Sequence, residues 1–333
     1  MNQPAPNRPA FGQRPGAAPA TPRMDFRSAI RKGATEKEPR IVMIGVEGVG
    51  KSTAGAGMLA PIFLCAEDGL VGPQFAETPH YSAASWSDAL AFLDYLRTEQ
   101  HEFKSIVIDT ADWLEALDFR HCCERDGKGC IEDYSYGKGY IVAAEEFRRF
   151  LQKLDELNKA GMAVLILTHS QIKAFNNPTG ENYDRYEPKL AKQIAGLLKE
   201  WADAVLFARF EVFTEKARGA MKAKAFGGDN RVVHTSHSAG WDAKNRYGLP
   251  EVMPLDMASI LEAIKAGNGA GGESTDTLLA EIRHLNAQLP PEVQAKVEAA
   301  IAQAKTPAAL AIVLNKTRNS IEKYAPTTTG ESA

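Results

Sequence analysis

Gly45-Val46-Glu47-Gly48-Val49-Gly50-Lys51-Ser52-Thr53 follows directly on the apolar run Ile41-Val42-Met43-Ile44, and this junction decides how the rest of the chain is read. The glycines let the backbone turn so that N–H groups converge on an anion, and a helix opening at Lys51 adds partial positive charge. Lys51 then reaches the β- and γ-phosphates of a nucleoside triphosphate, while the Ser52 hydroxyl meets a divalent cation. A strand before and a helix after are the context this spacing needs. Residues 45–53 are therefore expected to hold ATP beside Mg²⁺.

Other strand ends supply the partners such a loop requires. Ser105-Ile106-Val107-Ile108 delivers Asp109 at its C-terminal end, which reads as the Walker B carboxylate on the metal. A helix cap is the alternative, since Asp109, Thr110 and Asp112 all suit a helix start. Pro61-Ile62-Phe63-Leu64-Cys65-Ala66 leads to Glu67, a carboxylate placed to orient and deprotonate an attacking water. Val164 to Leu167 ends in Thr168 and His169, expected beside the γ-phosphate as sensors.

The runs Arg40–Ile44, Ile62–Ala66, Ser105–Ile108, Ala163–Leu167 and Ala204–Ala208 are apolar almost throughout, as in strands covered on both faces. Between them the apolar period is helical: Phe147, Phe150, Leu151, Leu154 and Leu157 share one face, and Leu190, Ile194, Leu197, Leu198 and Trp201 another. The alternation predicts an α/β domain with a mostly parallel sheet flanked by helices. Strand-like stretches at 231–235 and 242–247 suggest a β-hairpin extension.

The chain has 333 residues, 44% hydrophobic and 24% charged, the composition of a globular protein with one large core and a small accessory unit. Residues 1–24, rich in Pro and Ala with arginines and no acid, read as a disordered basic tail, and 326–333 as a second. The ATPase core is expected over 25–265, a glycine-rich linker over 266–273, and a small helical domain over 274–325. Its helices would open near Ser274, Pro290 and Pro307. No apolar run approaches the length needed to span a bilayer, and no signal-peptide core opens the chain, so a cytoplasmic protein is expected. Cys122, Cys123 and Cys130 lie near His121, but their spacing lacks a Cys-x-x-Cys pair, and free thiols are expected rather than zinc ligands. The net charge of −3 argues against a uniformly basic nucleic-acid binder without excluding a local basic surface.

The order of strand and phosphate loop, strand and Glu67, strand and Asp109, strand and polar sensor, then a basic hairpin resembles the RecA-like P-loop NTPase core. That resemblance implies a catalytic role for Glu67. It also implies a cation reaching a neighbouring subunit's γ-phosphate, which Lys244 or Arg246 would supply, in a ring or filament of identical subunits. Phe26-Arg27-Ser28-Ala29 is similar to the tether that joins subunits in some relatives. Tyr136-Gly137-Lys138-Gly139-Tyr140, Tyr183-Asp184-Arg185-Tyr186-Glu187-Pro188-Lys189-Leu190 and Trp201-Ala202-Asp203-Ala204 further resemble the RecA-related single-strand-annealing ATPases of phages.

In such a core the segments after the third and fourth strands contact DNA. Here they hold Tyr136, Lys138, Tyr140, Lys173, Phe175, Tyr183, Arg185, Tyr186 and Lys189. Rings interleaved with cations suit single-stranded DNA, because stacking tolerates any base and cations follow phosphates. The alternative is that the tyrosines pack the loops and the cations are solvated. The resemblance implies an ATP- and Mg²⁺-dependent recombination protein acting in annealing or strand exchange, often beside a single-stranded-DNA-binding protein. A hexameric helicase motor and a non-catalytic annealing module switched by ATP remain open alternatives.

Overall fold

Successive side chains of β1 (Arg40–Gly45) enter two different cores, Val42 and Ile44 on one face of the sheet, Ile41 and Met43 on the other. The computed structural model describes residues 30, 37–67, 69–215, 224–269 and 275–304, with 310, 313, 314, 316–318, 320 and 321. The chain divides into a unit ending at Glu36 and a unit of Lys37–Ala333, and the sheet and helices belong to the second.

The sheet has ten strands among the described residues. Flanking β1 are β5 (Ala163–Phe175) and β7 (Ala204–Glu215), both parallel to it. Beyond β5 lie β4 (Ser105–Asp109), β2 (Pro61–Cys65) and β3 (His80–Ser82), again parallel. Beyond β7, β8 (Lys224–His234) and β10 (Val252–Pro254) run antiparallel. β6 (Tyr183–Pro188) pairs with the outer half of β5, and β9 (Lys244–Asn245) with the start of β7.

Helices cover both faces, which is why the central strands are apolar on both sides. On one side α2 (Trp86–Thr98), α3 (Ala111–Arg125), α4 (Lys138–Lys159) and α5 (Lys192–Trp201) bury Trp86, Leu93, Phe147, Phe150, Leu154 and Ile194. On the other, α1 (Lys51–Ala56) and α6 (Met257–Gly269) bury Ala54, Met257, Ile260 and Ile264. Ser85 caps α2 by accepting from the Asp88 N–H at 3.1 Å, satisfying one orphan donor of the first turn.

Several elements depart from the sequence reading. β5 and β7 run on past Leu167 and Ala208, because each leaves the buried sheet and continues as one arm of a hairpin. The hairpin arms are half solvated, so an apolar-run criterion stops too early. β3 has no buried residue, and β6 alternates irregularly; neither gave a strand signal. Over 242–247 only Lys244–Asn245 is strand. The expected core boundary at 265 and linker from 266 are corrected by α6, which is helical through Gly269 and packs on the sheet.

α7 (Thr275–Asn286) and α8 (Pro291–Gln303) share a small core with Leu310, Val313 and Leu314. The two expected tails, the tether at Phe26–Ala29, Ser274 and residues 270–273 of the expected linker lie outside the described residues. No helix among the described residues is long and apolar enough to cross a membrane.

Candidate nucleotide-binding and catalytic site

Gly48 and Gly50 stand at φ 70° and φ 96°, the left-handed region where a side chain strains the backbone. Those two turns fold the loop back on itself, and Val49 points inward to anchor it in the core. Gly45 lies where a Cβ would come within 3.1 Å of the Lys51 side chain and 3.2 Å of Ala208 on β7. Lys51 opens α1 and is almost wholly buried. Its ammonium donates to the carbonyls of Gly45 and Val46 at 3.2 and 3.1 Å, so the cation is held across the mouth of its own loop. Glu47 and Gly48 are exposed at the loop tip, and Ser52 and Thr53 follow in the first turn of α1.

Parallel pairing brings the other strand ends to this edge. Gly45 is in register with His169, and Cys65 with Asp109, so β1, β4, β2 and the inner part of β5 reach the same edge. The Ala66 N–H donates to the Asp109 carbonyl at 3.1 Å, which sets Glu67 immediately beside Asp109. Asp109 is 2% exposed, and the Ser52 hydroxyl favours its ionised form. Burial raises the Asp109 carboxyl above its ordinary value, against the pull of Ser52, Lys51 and His169. Burial and the neighbouring Asp109 raise Glu67 in the same way. Lys51 is lowered by burial, although Asp112, Asp109, Glu47 and Glu67 all favour its charge. Lys51, Glu67, Asp109 and His169 thus act on one another across a single site.

His169 is held more firmly than a solvated strand-end histidine. Its backbone N–H donates to Asp112 Oδ1 at 3.0 Å and its Nδ1 pairs with Oδ2 at 2.8 Å. A carboxylate only accepts, so the proton sits on Nδ1 and Nε2 is the nitrogen left for other contacts. Burial of Asp112 opposes its ionisation, yet the bonds from His169 outweigh that and hold the carboxyl below its ordinary value. In sequence, Asp112 suits a helix start and nothing more. Its spacing of three from Asp109, on the first turn of α3, was the available signal. Thr168 is fully buried and turned from the surface, its hydroxyl 3.3 Å from the His169 carbonyl.

A second unanticipated residue is Arg231 on β8. Its Nη1 lies 2.7 Å from the point a Cβ on Gly50 would occupy, so a guanidinium leans against the phosphate loop from the same chain. Nothing in the local sequence distinguishes it from other strand cations; only the pairing of β8 with β7 brings it there.

The two cations expected to reach a neighbouring subunit sit elsewhere. β9 pairs with Ala204 and Val205 at the start of β7, whereas the loop meets Ala208, roughly 10 Å further along the strand. Lys244 Nζ donates to the carbonyls of Lys199, Glu200 and Ala202 at 3.0, 3.0 and 2.6 Å. All three ammonium donors are used on the C-terminus of α5, so Lys244 is corrected from a free finger to a helix-capping cation. Arg246 pairs with Asp203 at 3.2 Å and keeps an exposed guanidinium.

The residues expected on DNA divide sharply. Tyr136 is 99% exposed at the tip of the turn before α4, with φ 56° followed by Gly137 at φ 69°. Two left-handed residues in a row throw the ring outward. Lys138, Lys173 and Lys189 are also exposed. Tyr140, by contrast, lies in the first turn of α4, donates its hydroxyl to Glu132 at 2.7 Å and packs edge-on against Phe119. Phe175 and Tyr183 contact each other across the β5–β6 hairpin at 5.2 Å between ring centroids. Arg185 is 7% exposed, stacked under Phe175 and paired with Asp242 and Glu187. Tyr186 packs on Phe207. Arg185 and Tyr186 are therefore corrected from surface contacts to internal ones, since the same side chains that suit a base or phosphate also fill a hairpin root; Tyr140 stays half-buried, held by Glu132 and Phe119. Cys122, Cys123 and Cys130 are free thiols, and the described residues hold no group of three His, Cys, Asp or Glu placed to hold a metal.

Residues 37–247, well over half the chain, match the profile of the AAA domain family, and the chain belongs to that family. It carries an AAA-family ATPase domain. No curated protein matches it.

Proposed function

We propose that the chain hydrolyses ATP while assembled as a homo-oligomer, ring or filament, on single-stranded DNA, and promotes annealing or strand exchange in the manner of phage recombination ATPases. The convergence of Lys51, Glu67, Asp109 and His169 at the end of β1 carries the catalytic half of this reading. Lys51 exchanges its loop carbonyls for phosphate oxygens. Glu67, raised by burial and Asp109, takes the proton of the attacking water. His169, fixed by Asp112, offers Nε2 toward the transferred phosphoryl group.

Asp109 Oδ2 is buried and has no hydrogen-bond partner among the described residues, while the Ser52 hydroxyl favours the ionised form of the same carboxylate. An orphaned hard oxygen beside a hydroxyl fits Mg²⁺, which Ser52 and Asp109 would hold. When bound, the ion neutralises charge on the β- and γ-phosphates. Of Lys244 and Arg246, Arg246 keeps an exposed guanidinium beyond its pair with Asp203 and is the cation that would meet a neighbouring subunit.

Continuity of β5 supports the DNA half. The strand that ends its buried part at His169 runs on to exposed Lys173, and the Lys189 N–H returns to the His169 carbonyl at 2.8 Å. Glu115 acts electrostatically on both Lys173 and Tyr140, so the start of α4 and this hairpin share one neighbourhood. Tyr136 and Lys138 at the first, and Lys173 and Lys189 at the second, provide a stacking ring and cations for a single strand. A single-stranded-DNA-binding protein is the partner this activity would work beside.

The test is ATP turnover and annealing of complementary strands, measured with and without single-stranded DNA at two salt concentrations. DNA-stimulated turnover, with affinity falling as salt rises, is expected. Turnover indifferent to DNA, with no acceleration of annealing, would overturn the reading.

A further inference from the structure

The catalytic carboxylates all lie to one side of the phosphate loop. In the sheet, β5, β4 and β2 follow β1 in one direction, carrying His169, Asp109 and the approach to Glu67. β7, β8 and β10 follow in the other. A triphosphate seated on the loop must point its γ-phosphate toward the carboxylates and water-activating groups. Its α-phosphate and nucleoside then face β7 and β8.

Arg231 stands on that second side. Its Nη1 approaches the backbone of Gly50 as closely as the missing Cβ allows, and its guanidinium lies 5.9 Å from the Phe210 ring on β7. Among the described residues it forms no ion pair, unlike Arg40, Arg125, Arg185 and Arg246. An arginine parked over a phosphate loop without a carboxylate has its planar donors available for an anion. A recess of about 320 Å³ lies against the paired strands β8 and β10, lined by Glu211, Asn230, Val232, Val252, Met253 and Pro254 beside Arg231 itself. Its apolar strand residues and the Asn230–Glu211 pair, 3.3 Å apart, offer a flat wall and a polar edge, the chemistry a nucleoside needs.

Resting on the ATP reading above, we propose that Arg231 is a positioning residue that clamps the α- and β-phosphates of the nucleotide in its own subunit and directs the nucleoside into the β8–β10 recess. Because the clamp grips the part common to ATP and ADP, it sets affinity for both and leaves their ratio unchanged. It differs in this from a γ-phosphate sensor, which distinguishes them.

The test is equilibrium binding of ATP, ADP and inorganic tripolyphosphate to the full chain carrying Arg231→Ala, Arg231→Lys, Val252→Trp or Lys51→Ala, each checked for an unchanged thermal midpoint. Arg231→Ala is expected to weaken ATP and ADP alike, by roughly tenfold to a hundredfold, the loss of one charge-assisted contact. Arg231→Lys should recover part of it. Val252→Trp, which fills the recess, should weaken both nucleotides and leave tripolyphosphate unaffected. Wild-type affinities in Arg231→Ala, or a loss confined to ATP, would overturn the clamp; wild-type nucleotide affinity in Val252→Trp would overturn the nucleoside placement. A wild-type chain that binds no nucleotide, or a Lys51→Ala variant that binds as well as wild type, would instead remove the ATP reading itself.

Discussion

His169 and Asp112 are joined twice, backbone N–H to Oδ1 at 3.0 Å and Nδ1 to Oδ2 at 2.8 Å, so one carboxylate fixes both the strand end and the ring that leaves it. The pair ties the end of buried β5 to the first turn of α3. Whatever alters the position of His169 therefore also pulls on the helix that follows Asp109.

Asp112→Asn is the direct probe of this coupling. It removes the charge that keeps the proton on Nδ1 while preserving shape. Hydrogen bonds to charged groups contribute about 1.5–3 kcal/mol, so turnover should fall roughly tenfold to a hundredfold with ATP affinity little changed. Steady-state kinetics with wild-type kcat would show that His169 does not depend on its partner.

Glu67→Gln should reduce turnover by about 10²–10⁴ and leave nucleotide binding intact, as expected when a general base is lost. The wild-type pH profile gives an independent readout. Burial and Asp109 raise Glu67 above its ordinary 4.5, and only the ionised form accepts a proton. Turnover should therefore decline, as pH falls, at a value above the usual carboxylate range. A profile flat down to that ordinary value would assign the base elsewhere.

Tyr136→Ala should weaken single-stranded-DNA binding by roughly tenfold, within the range for losing one stacked base, and leave DNA-independent turnover as it is. Lys138→Ala should act differently, lowering the salt dependence of binding by close to one phosphate contact. Filter binding across salt concentrations separates the two; unchanged affinity in both variants would remove this loop from the DNA surface.

Arg185→Ala should destabilise the fold by about 1–3 kcal/mol, because it strips a half-buried carboxylate, Asp242, of one of its cations. Lys199 remains at 2.6 Å and limits the loss. Denaturant unfolding at neutral pH measures it. Equal stability joined to lost DNA binding would return Arg185 to the surface role that its sequence context suggested.

Asp118 makes stability depend on pH in the opposite sense to a paired carboxylate. Burial, then the neighbouring Glu146 and Glu115, push it up from 3.8 to about 8. Between those values the folded chain keeps a proton that the unfolded chain has released, so its contribution to stability declines as pH rises through that window. Asn needs no proton and can still accept from Cys122, which donates to Asp118 at 3.4 Å. Asp118→Asn should therefore be more stable than wild type at pH near 8 and show a flatter profile below it. Parallel unfolding midpoints from pH 5 to 8 would sink this prediction.

The parts legible in the sequence share a physical cause. A strand buried on both faces must be apolar throughout, so β1, β2, β4 and the inner parts of β5 and β7 announce themselves. A loop that wraps phosphates needs glycine at left-handed positions, and Gly48 and Gly50 occupy them. Glu67, Asp109 and His169 were found because each follows such a strand directly. β6 and the outer arms of the hairpins were missed because a half-solvated strand has no unbroken apolar run.

The sequence alone determined the α/β layering, the phosphate loop and the identity of the groups at its edge, since these depend on local periodicity and on what one strand end can carry. Tertiary structure decided which cations are free. Lys244 is spent on the carbonyls of α5, Arg185 is sealed under Phe175, and Arg231 is brought to Gly50 because β8 pairs with β7 and β7 pairs with the distant β1. An arginine or lysine looks the same in sequence whether solvated, capping or poised; only the partners the fold brings within a few ångströms separate those fates.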